Sequence, residues 1–549
     1  MLKFRVFVAC CAVLAYPSVS FAGQVTFNGG ADAEFSNQSV GDIDNNRTLE
    51  SNNVVLTPFV SAIFDSRDID FLVRASHSYV YRSLENENAS NNFTNYNYSG
   101  QYQIIDNLLS VQVSGAQDFR AELANSFLVD SFLLNAENLR KTNTNFASVN
   151  FNLPTGNYIG ANAQFSLGNS SVEADNTNFG MGGFNNNIMG GRAQIVTGRD
   201  FRPFFINFVA STNVVDRDVV QDLESNSADL TLSFDAFSDI SLRLLGFYED
   251  NSFSSNDAEV NQEPATREFF RYGAAIAWSP ALNRFIEIGI NQSVSNSDSN
   301  PEDDEDTFLS LNMQWAFSSR TNLSAGYTRR FFGESASFSF SHNLRNFRSS
   351  VTYSETLTTN SQLIISQEDG LLICANGSQD LSDCRLTDDL NTELGAGDIA
   401  IRTNFNVADL NDNVIVRKVL SAQSAVDLRR TTIVGTLTRS TNEQQDARNN
   451  LLITTASLLG TLRASSRSTF TANLSYSDLE RTGDTAQTST VKRAELVYER
   501  DLSLRMSATL GLSYLDRKGG NLGGGNLAQG INGPLTERII RLGVSYQLN

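Results

Sequence analysis

The chain has 549 residues and a net charge of −20, with a pI near 4.6, which excludes a general nucleic-acid binder because that role needs a basic face. Charged residues are only 19% and Phe reaches 37 against 8 Pro, too aromatic for a disordered chain and without the periodicity of a helical one. Two His and four Cys exclude most metal-site architectures, and neither a metal nor a cofactor is expected.

Lys3 and Arg5 precede an apolar run from Val6 to Ala15, and Pro17 and Ser18 break it. Ser20-Phe21-Ala22 then offers a small-x-small cleavage site before Gly23. That is a secretory signal peptide over residues 1–22, too short to span a membrane as a helix. A lipoprotein reading of Cys10 or Cys11 fails because the apolar stretch before them is too short. Alternation of apolar and polar residues starts at Gln24 to Phe35, so residues 23–549 are expected to be barrel with no plug domain.

The alternation recurs along the chain. Leu309, Leu311, Met313, Trp315 and Phe317 alternate with Ser310, Asn312, Gln314 and Ala316, while Ala336, Phe338 and Phe340 oppose a face of serines from Ser335 to Ser341. Phe470, Ala472, Leu474 and Tyr476 repeat the pattern, as do Leu502, Leu504, Met506, Ala508, Leu510, Leu512 and Tyr514. A period of two over nine or more residues, apolar on one face and small and polar on the other, is what a membrane β-barrel needs.

Tight turns are expected at 65–68, 106–107, 154–156, 198–200, 237–239, 279–281, 318–320, 344–346, 427–429, 465–467 and 499–501. Between them lie mostly longer polar connections, among them 37–52, 83–92, 121–140, 168–187, 252–265, 294–306 and 516–536. Short periplasmic turns alternating with long outer loops are the membrane-barrel rule. The fold class is therefore all-β, a transmembrane up-and-down antiparallel β-barrel of about 24 strands, give or take about two.

Glu302-Asp303-Asp304-Glu305-Asp306 is placed on an outer loop, where it reads as a solvated face more readily than as a cation site, since its spacing matches no Ca²⁺-binding loop. Loop 359–413 is the longest connection and carries Leu363-Ile364-Ile365 and Leu371-Leu372-Ile373. Apolar clusters on so long a loop must bury against something, either inside the lumen as a constriction or in a cap outside. Cys374 and Cys384 lie close together on that loop, and in an oxidising compartment such a pair reads as a disulfide. Loop closure of this length stabilises by roughly 3 kcal/mol. A round barrel of this size leaves a hole of about 30 Å, so this loop is expected to narrow it.

Inward positions under the alternation collect Arg74, Arg243, Arg271, Arg348, Arg463, Arg493, Arg505 and Arg541, with Asp70, Glu495 and Glu499 among them. An arginine excess in the lumen suits an anionic polysaccharide, while arginine–carboxylate ladders merely brace a wet wall. His77 and His342 fall in register with outward aromatic residues, and no P-loop, H-E-x-x-H or zinc spacing is present, so no catalysis is expected.

The last segment, Arg541-Leu542-Gly543-Val544-Ser545-Tyr546-Gln547-Leu548, resembles the C-terminal signal that outer-membrane barrels present to their assembly machinery. Gly543, Tyr546 and Leu548 carry that resemblance, although the chain ends in Asn549 instead of an aromatic residue. Thr57-Pro58-Phe59-Val60-Ser61, and the stretch from Val414-Ile415-Val416-Arg417-Lys418 to Leu437-Thr438-Arg439 after the long loop, resemble the outer-membrane β-barrel family associated with exosortase/PEP-CTERM protein sorting and exopolysaccharide loci. The resemblance implies a porin-like protein of envelope biogenesis and supplies no catalytic residues. The expectation is a channel in the outer membrane of a Gram-negative bacterium, exporting a polysaccharide or another large solute. The alternative is a non-conducting structural or adhesive barrel that binds partners through acidic loops. Outer-membrane lipid, lipopolysaccharide and the barrel-assembly machinery are the expected surroundings.

Overall fold

Strict alternation gives each segment one apolar and one wet face, and in the computed structural model these segments are antiparallel strands of one continuous sheet. The structure describes residues 23–42, 47–84, 88–121, 139–173, 183–201, 203–217, 222–254, 265–297, 300–359, 362, 371–374, 384–387, 399–402, 414–444, 450–482, 487–503, 505–519 and 534–548. The expected signal peptide and most of loop 359–413 lie outside them.

The first wall strands are β1 (Gln24–Asp42), β2 (Arg47–Asp65), β3 (Ile69–Leu84), β4 (Asn88–Ile105), β5 (Leu109–Ala121), β6 (Leu139–Leu153), β7 (Ile159–Val172) and β8 (Phe184–Thr197). Next come β9 (Phe204–Asp216), β10 (Asp222–Asp235), β11 (Ile240–Ser254), β12 (Ala265–Ala281), β13 (Arg284–Ser297), β14 (Asn300–Ser318), β15 (Thr321–Arg330), β16 (Gly333–Asn343) and β17 (Phe347–Thr359). Three short strands, β18 (Leu371–Cys374), β19 (Cys384–Thr387) and β20 (Ile399–Arg402), form a separate sheet with β18 in the middle. The wall resumes with β21 (Val414–Leu428), β22 (Thr431–Gln444), β23 (Asn450–Ser465), β24 (Ser468–Thr482), β25 (Gln487–Asp501), β26 (Met506–Gly519) and β27 (Leu535–Leu548). β17 pairs directly with β21, and β27 returns to β1 from Gly29↔Leu548 to Asp42↔Leu535, so 24 strands close into a cylinder.

The outer surface carries the membrane belt. On β12 the exposed side chains Phe270, Tyr272, Ile276 and Trp278 share one face, spanning roughly 20 Å along the axis for strands tilted about 40°. Aromatic residues rim both edges of the belt, as amphipathic rings do at a headgroup boundary. At the turn end Phe204 meets Phe234, Trp278 meets Trp315 and Phe470 meets Tyr498, while Tyr79, Tyr96, Tyr248 and Tyr514 mark the other edge. His77 and His342 lie on this outward face, beside Tyr79 and Phe347.

Several expected boundaries move. The connections placed at 37–52, 83–92 and 294–306 contract to 43–46, 85–87 and 298–299, because the strands continue beyond the membrane. The acidic run Glu302–Asp306 therefore belongs to β14, paired with β13 through Ser293↔Asp306 and Ser295↔Asp304, and not to a loop. Crossing a bilayer takes about 9–11 residues, yet β1, β2 and β14 each have 19. Above the belt both faces meet protein or water, so no lipid-facing alternation marks the strand. Two turns also shift. Pro280 sits in a register irregularity between Trp278 and Ala281 rather than in the turn, which falls at Asn283. β25 runs through 499–501, and the turn follows at Leu502, whose N–H donates to the Met506 carbonyl at 2.8 Å.

Candidate channel and its constriction

Inner-face arginines are placed by strand parity, and five of them meet carboxylates. A column along β10–β15 begins near the turns with Arg243 Nη1 donating to Glu287 Oε2 at 2.6 Å. It continues with Arg271, 3.8 Å from the Asp229 carboxylate. At the outer end Arg330 grips Glu249 through Nη2 to Oε1 at 2.6 Å and Nε to Oε2 at 3.2 Å. Across the barrel Arg541 donates to Glu495 at 2.8 Å, and Arg493 lies 3.8 Å from the same carboxylate. Arg74 rests over the Phe59 ring, while Arg348 and Arg463 occupy inner-face positions near the turn end. Arg505 departs from the expected wall position. β26 starts only at Met506, so Arg505 is an exposed residue of the preceding turn, its N–H bonded to Ser503 Oγ. These pairings favour the bracing role of the arginines over a bare positive lumen.

The same contacts show that the wall is not round. β11 and β15 are four strands apart, about 19 Å even on a flat sheet, farther than an arginine and a glutamate can span. Arg330 nevertheless reaches Glu249, and Arg271 on β12 reaches Thr328 on β15, so the wall folds sharply around β13 and β14. Inside that fold Arg271 lies over Phe247, Phe247 packs edge-on to buried Phe269, and Arg330 covers Phe332.

β17 completes the partition. Its pairing with β16 stops at Phe338↔Tyr353, whereas its pairing with β21 continues to Thr359↔Val414. Above Tyr353 the strand leaves β16 and turns inward, as the edge of a scroll does. Leu357, on the face that lower down points to lipid, packs against Val215 of β9 and Leu223 of β10, both on the inner face and fully buried. Gln362 just beyond caps the strand by accepting from the Thr359 N–H at 3.0 Å, and its Nε2 donates to Asn213 Oδ1 of β9 at 2.9 Å. In a round 24-strand barrel β17 and β9 would stand about 40 Å apart. The upper lumen is thus split into a packed lobe walled by β9–β17 and a wider one walled by the other fifteen strands. Nine strands enclose little more than their own side chains.

A further constriction comes from polarity inverting above the belt. At the outer ends the inner face becomes apolar and buried, as at Val40, Val80, Phe93, Leu479, Leu515 and Leu535. Val80 and Phe93 form a cluster with Val55, Phe119 and Leu139. Polar groups are drawn in with them: Gln38 donates to Glu537 at 2.5 Å. Burial pushes the Glu537 carboxyl up, and burial brings the Arg517 guanidinium down to about 10.

A closed antiparallel wall with an apolar belt leaves no strand edge for lipid to solvate and has one physical home. The chain is a Gram-negative outer-membrane β-barrel. No protein-family model and no curated protein sequence matches it. Among solved structures it is similar to BauA, the ferric preacinetobactin receptor from Acinetobacter baumannii, at 11% identity and a TM-score of 0.36 over 95% of this chain and 80% of that one. It is also similar to the FrpB iron transporter from Neisseria meningitidis, at 9% identity and a TM-score of 0.39 over 95% and 81%. OmpT of Vibrio cholerae gives 9% identity and a TM-score of 0.23 over 63% of this chain and 98% of that one.

The barrel's closing strand β27 carries Gly543, Tyr546 and Leu548, paired on β1 with Glu34, Ala31 and Gly29. Cys374 and Cys384 are direct cross-strand partners in the β18–β19 ladder, and such partners have Cα separations within disulfide range. Among the described residues no three His, Cys, Asp or Glu converge as a metal site.

Proposed function

We propose that the barrel is a plugless passage for a hydroxyl-rich polysaccharide or similar large solute, with the wide lobe as its path. The observation that supports this reading most directly is the inner wall from β4 to β9. Asn97 and Ser99 on β4, Gln112 on β5, Asn150 on β6 and Gln164 on β7 all face the lumen. Asn162 Nδ2 donates to Gln194 at 2.9 Å, and Gln194 donates to Asn207 at 2.8 Å, an amide ladder across three strands. Below Asp118 and Arg140, the one charged inner-face residue of β4–β9 among the described residues is Arg192. A wall of neutral amides and hydroxyls exchanges hydrogen bonds with sugar hydroxyls without holding any one of them as a charge would. The resemblance to barrels of exosortase and exopolysaccharide loci supports the same substrate class, and self-closure by β17 supports a lumen without a plug.

Planar bilayers containing the refolded protein test the reading. Small or intermittent conductance is expected from the wild type, and a several-fold larger one after loop 363–410 is shortened. Silence in both forms would favour an adhesive or structural barrel instead.

A further inference from the structure

Three wall seams, β4–β5, β14–β15 and β16–β17, stop well short of their strand ends, and the β16–β17 seam is the one that borders the partition. Gly333–Ser337 are paired with β15 but not β17, and Ser354–Thr358 are paired with β21 but not β16. Two strand edges without ladder partners therefore face the same gap, an arrangement that proteins usually avoid or cover.

Their register is already set. Continuing one step from Phe338↔Tyr353 brings Ser337 opposite Ser354, and further steps bring Ala336 opposite Glu355, Ser335 opposite Thr356 and Gly333 opposite Thr358. Parity is kept, with the small hydroxyl side chains of both strands together on the lumen face. We infer that β17 above Tyr353 is a two-position strand. In the position observed, Leu357 lies on Val215 and Leu223, and Gln362 holds Asn213. In the second, Ser354–Thr358 zip onto Ser337–Gly333, the cylinder is completed and the partition is withdrawn from the lumen. The inward position buries apolar surface and leaves two edges open; the zipped position gains a ladder of main-chain hydrogen bonds and exposes Leu357. Each position holds what the other lacks, and their balance makes a gate. The gate's effect on conduction rests on the transport reading above, but its existence does not.

Two double-cysteine variants test it in the full-length protein, each in a Cys374→Ser/Cys384→Ser background. Val215→Cys/Leu357→Cys captures the inward position, and Ser337→Cys/Ser354→Cys captures the zipped one, since cross-strand partners lie within disulfide reach. Heat-modifiable migration establishes that each variant is folded, and Ala336→Cys/Glu355→Cys repeats the second trap on the outer face. Under mild oxidation in the outer membrane both kinds of pair are expected to cross-link. The zipped link should raise conductance several-fold and the inward link should abolish it until reduced. If the zipped pairs stay reduced while the inward pair links completely, the strand has one position and the inference is overturned. If both link and neither conducts, the two-position strand stands and the transport reading falls.

Discussion

Glu537 shows how burial at the barrel mouth turns a single carboxyl into a pH-dependent element. It is inward, buried and above the belt formed on its own strand by Ile540, Leu542, Val544 and Tyr546. Burial raises its pKa, opposed by the Gln38 hydrogen bond and by the charges of Arg493 and Arg541. A carboxyl raised in the fold binds its proton more tightly there than in the unfolded chain, so ionising it lowers stability as pH rises through that range. Glu537→Gln, which copies the protonated form and still accepts from Gln38, should therefore be more stable than wild type at pH 7. The gap in urea midpoints should narrow as the pH falls toward 5. A gap that widens on acidification would mean that the carboxylate is held by its arginines and not penalised by burial. Glu249, 1% exposed, accepts from Arg330 through both of its carboxylate oxygens.

At the scale of the element, closure of the cylinder depends on how near β1 and β27 can come. Gly30 pairs with Gln547 on one side and with Phe59 on the other. A Cβ there would run into the Tyr546 carbonyl and the Phe59 ring. Gly30→Val should weaken the closing seam by about 2 kcal/mol, the usual scale of overpacking, and accumulate protein that no longer shows heat-modifiable migration. Normal migration of the variant would show that the seam tolerates a wider spacing. The turn before β16 makes a separate demand: Gly333 has φ +111°, a left-handed backbone that other residues adopt only under strain.

The whole molecule is divided where its strand count alone would suggest one wide pore. Access of a small maleimide to single cysteines in a Cys374→Ser/Cys384→Ser background should follow that division. Gln194→Cys, on the polar wall of the wide lobe, should label readily in membranes whose periplasmic side is open. Asn251→Cys, fully buried on the inner face of β11 in the packed lobe, should label only after denaturation. Equal labelling of both would mean a lumen without a partition. Chemistry differs between the lobes as well: paired charges fill the narrow one, while the wide one sets the neutral amides of β4–β9 against the Arg493, Glu495 and Arg541 cluster of β25 and β27.

Class, the approximate number of wall strands and the facing of side chains at membrane depth can all be read from the residues. Lipid enforces those: where one face must be apolar, a period of two is written into Leu309 to Phe317 or Leu510 to Tyr514 and can be read off. Arg505 was expected on the wall because its turn was set three residues too early. Above the membrane that constraint ends. There the strands run on unmarked, Glu302–Asp306 joins a ladder, and the apolar side chains turn inward as in a soluble core. Adjacent apolar residues carry the trace of that switch, as in Tyr79-Val80-Tyr81, Tyr514-Leu515 and Ile539-Ile540, and they were legible in principle. Closure is settled by long-range packing. Whether β17 zips to β16 or folds onto β9 and β10 depends on contacts between residues more than a hundred positions apart, Leu357 with Val215 and Gln362 with Asn213. Local periodicity is the same for both arrangements, because a strand alternates its side chains whichever neighbour it meets.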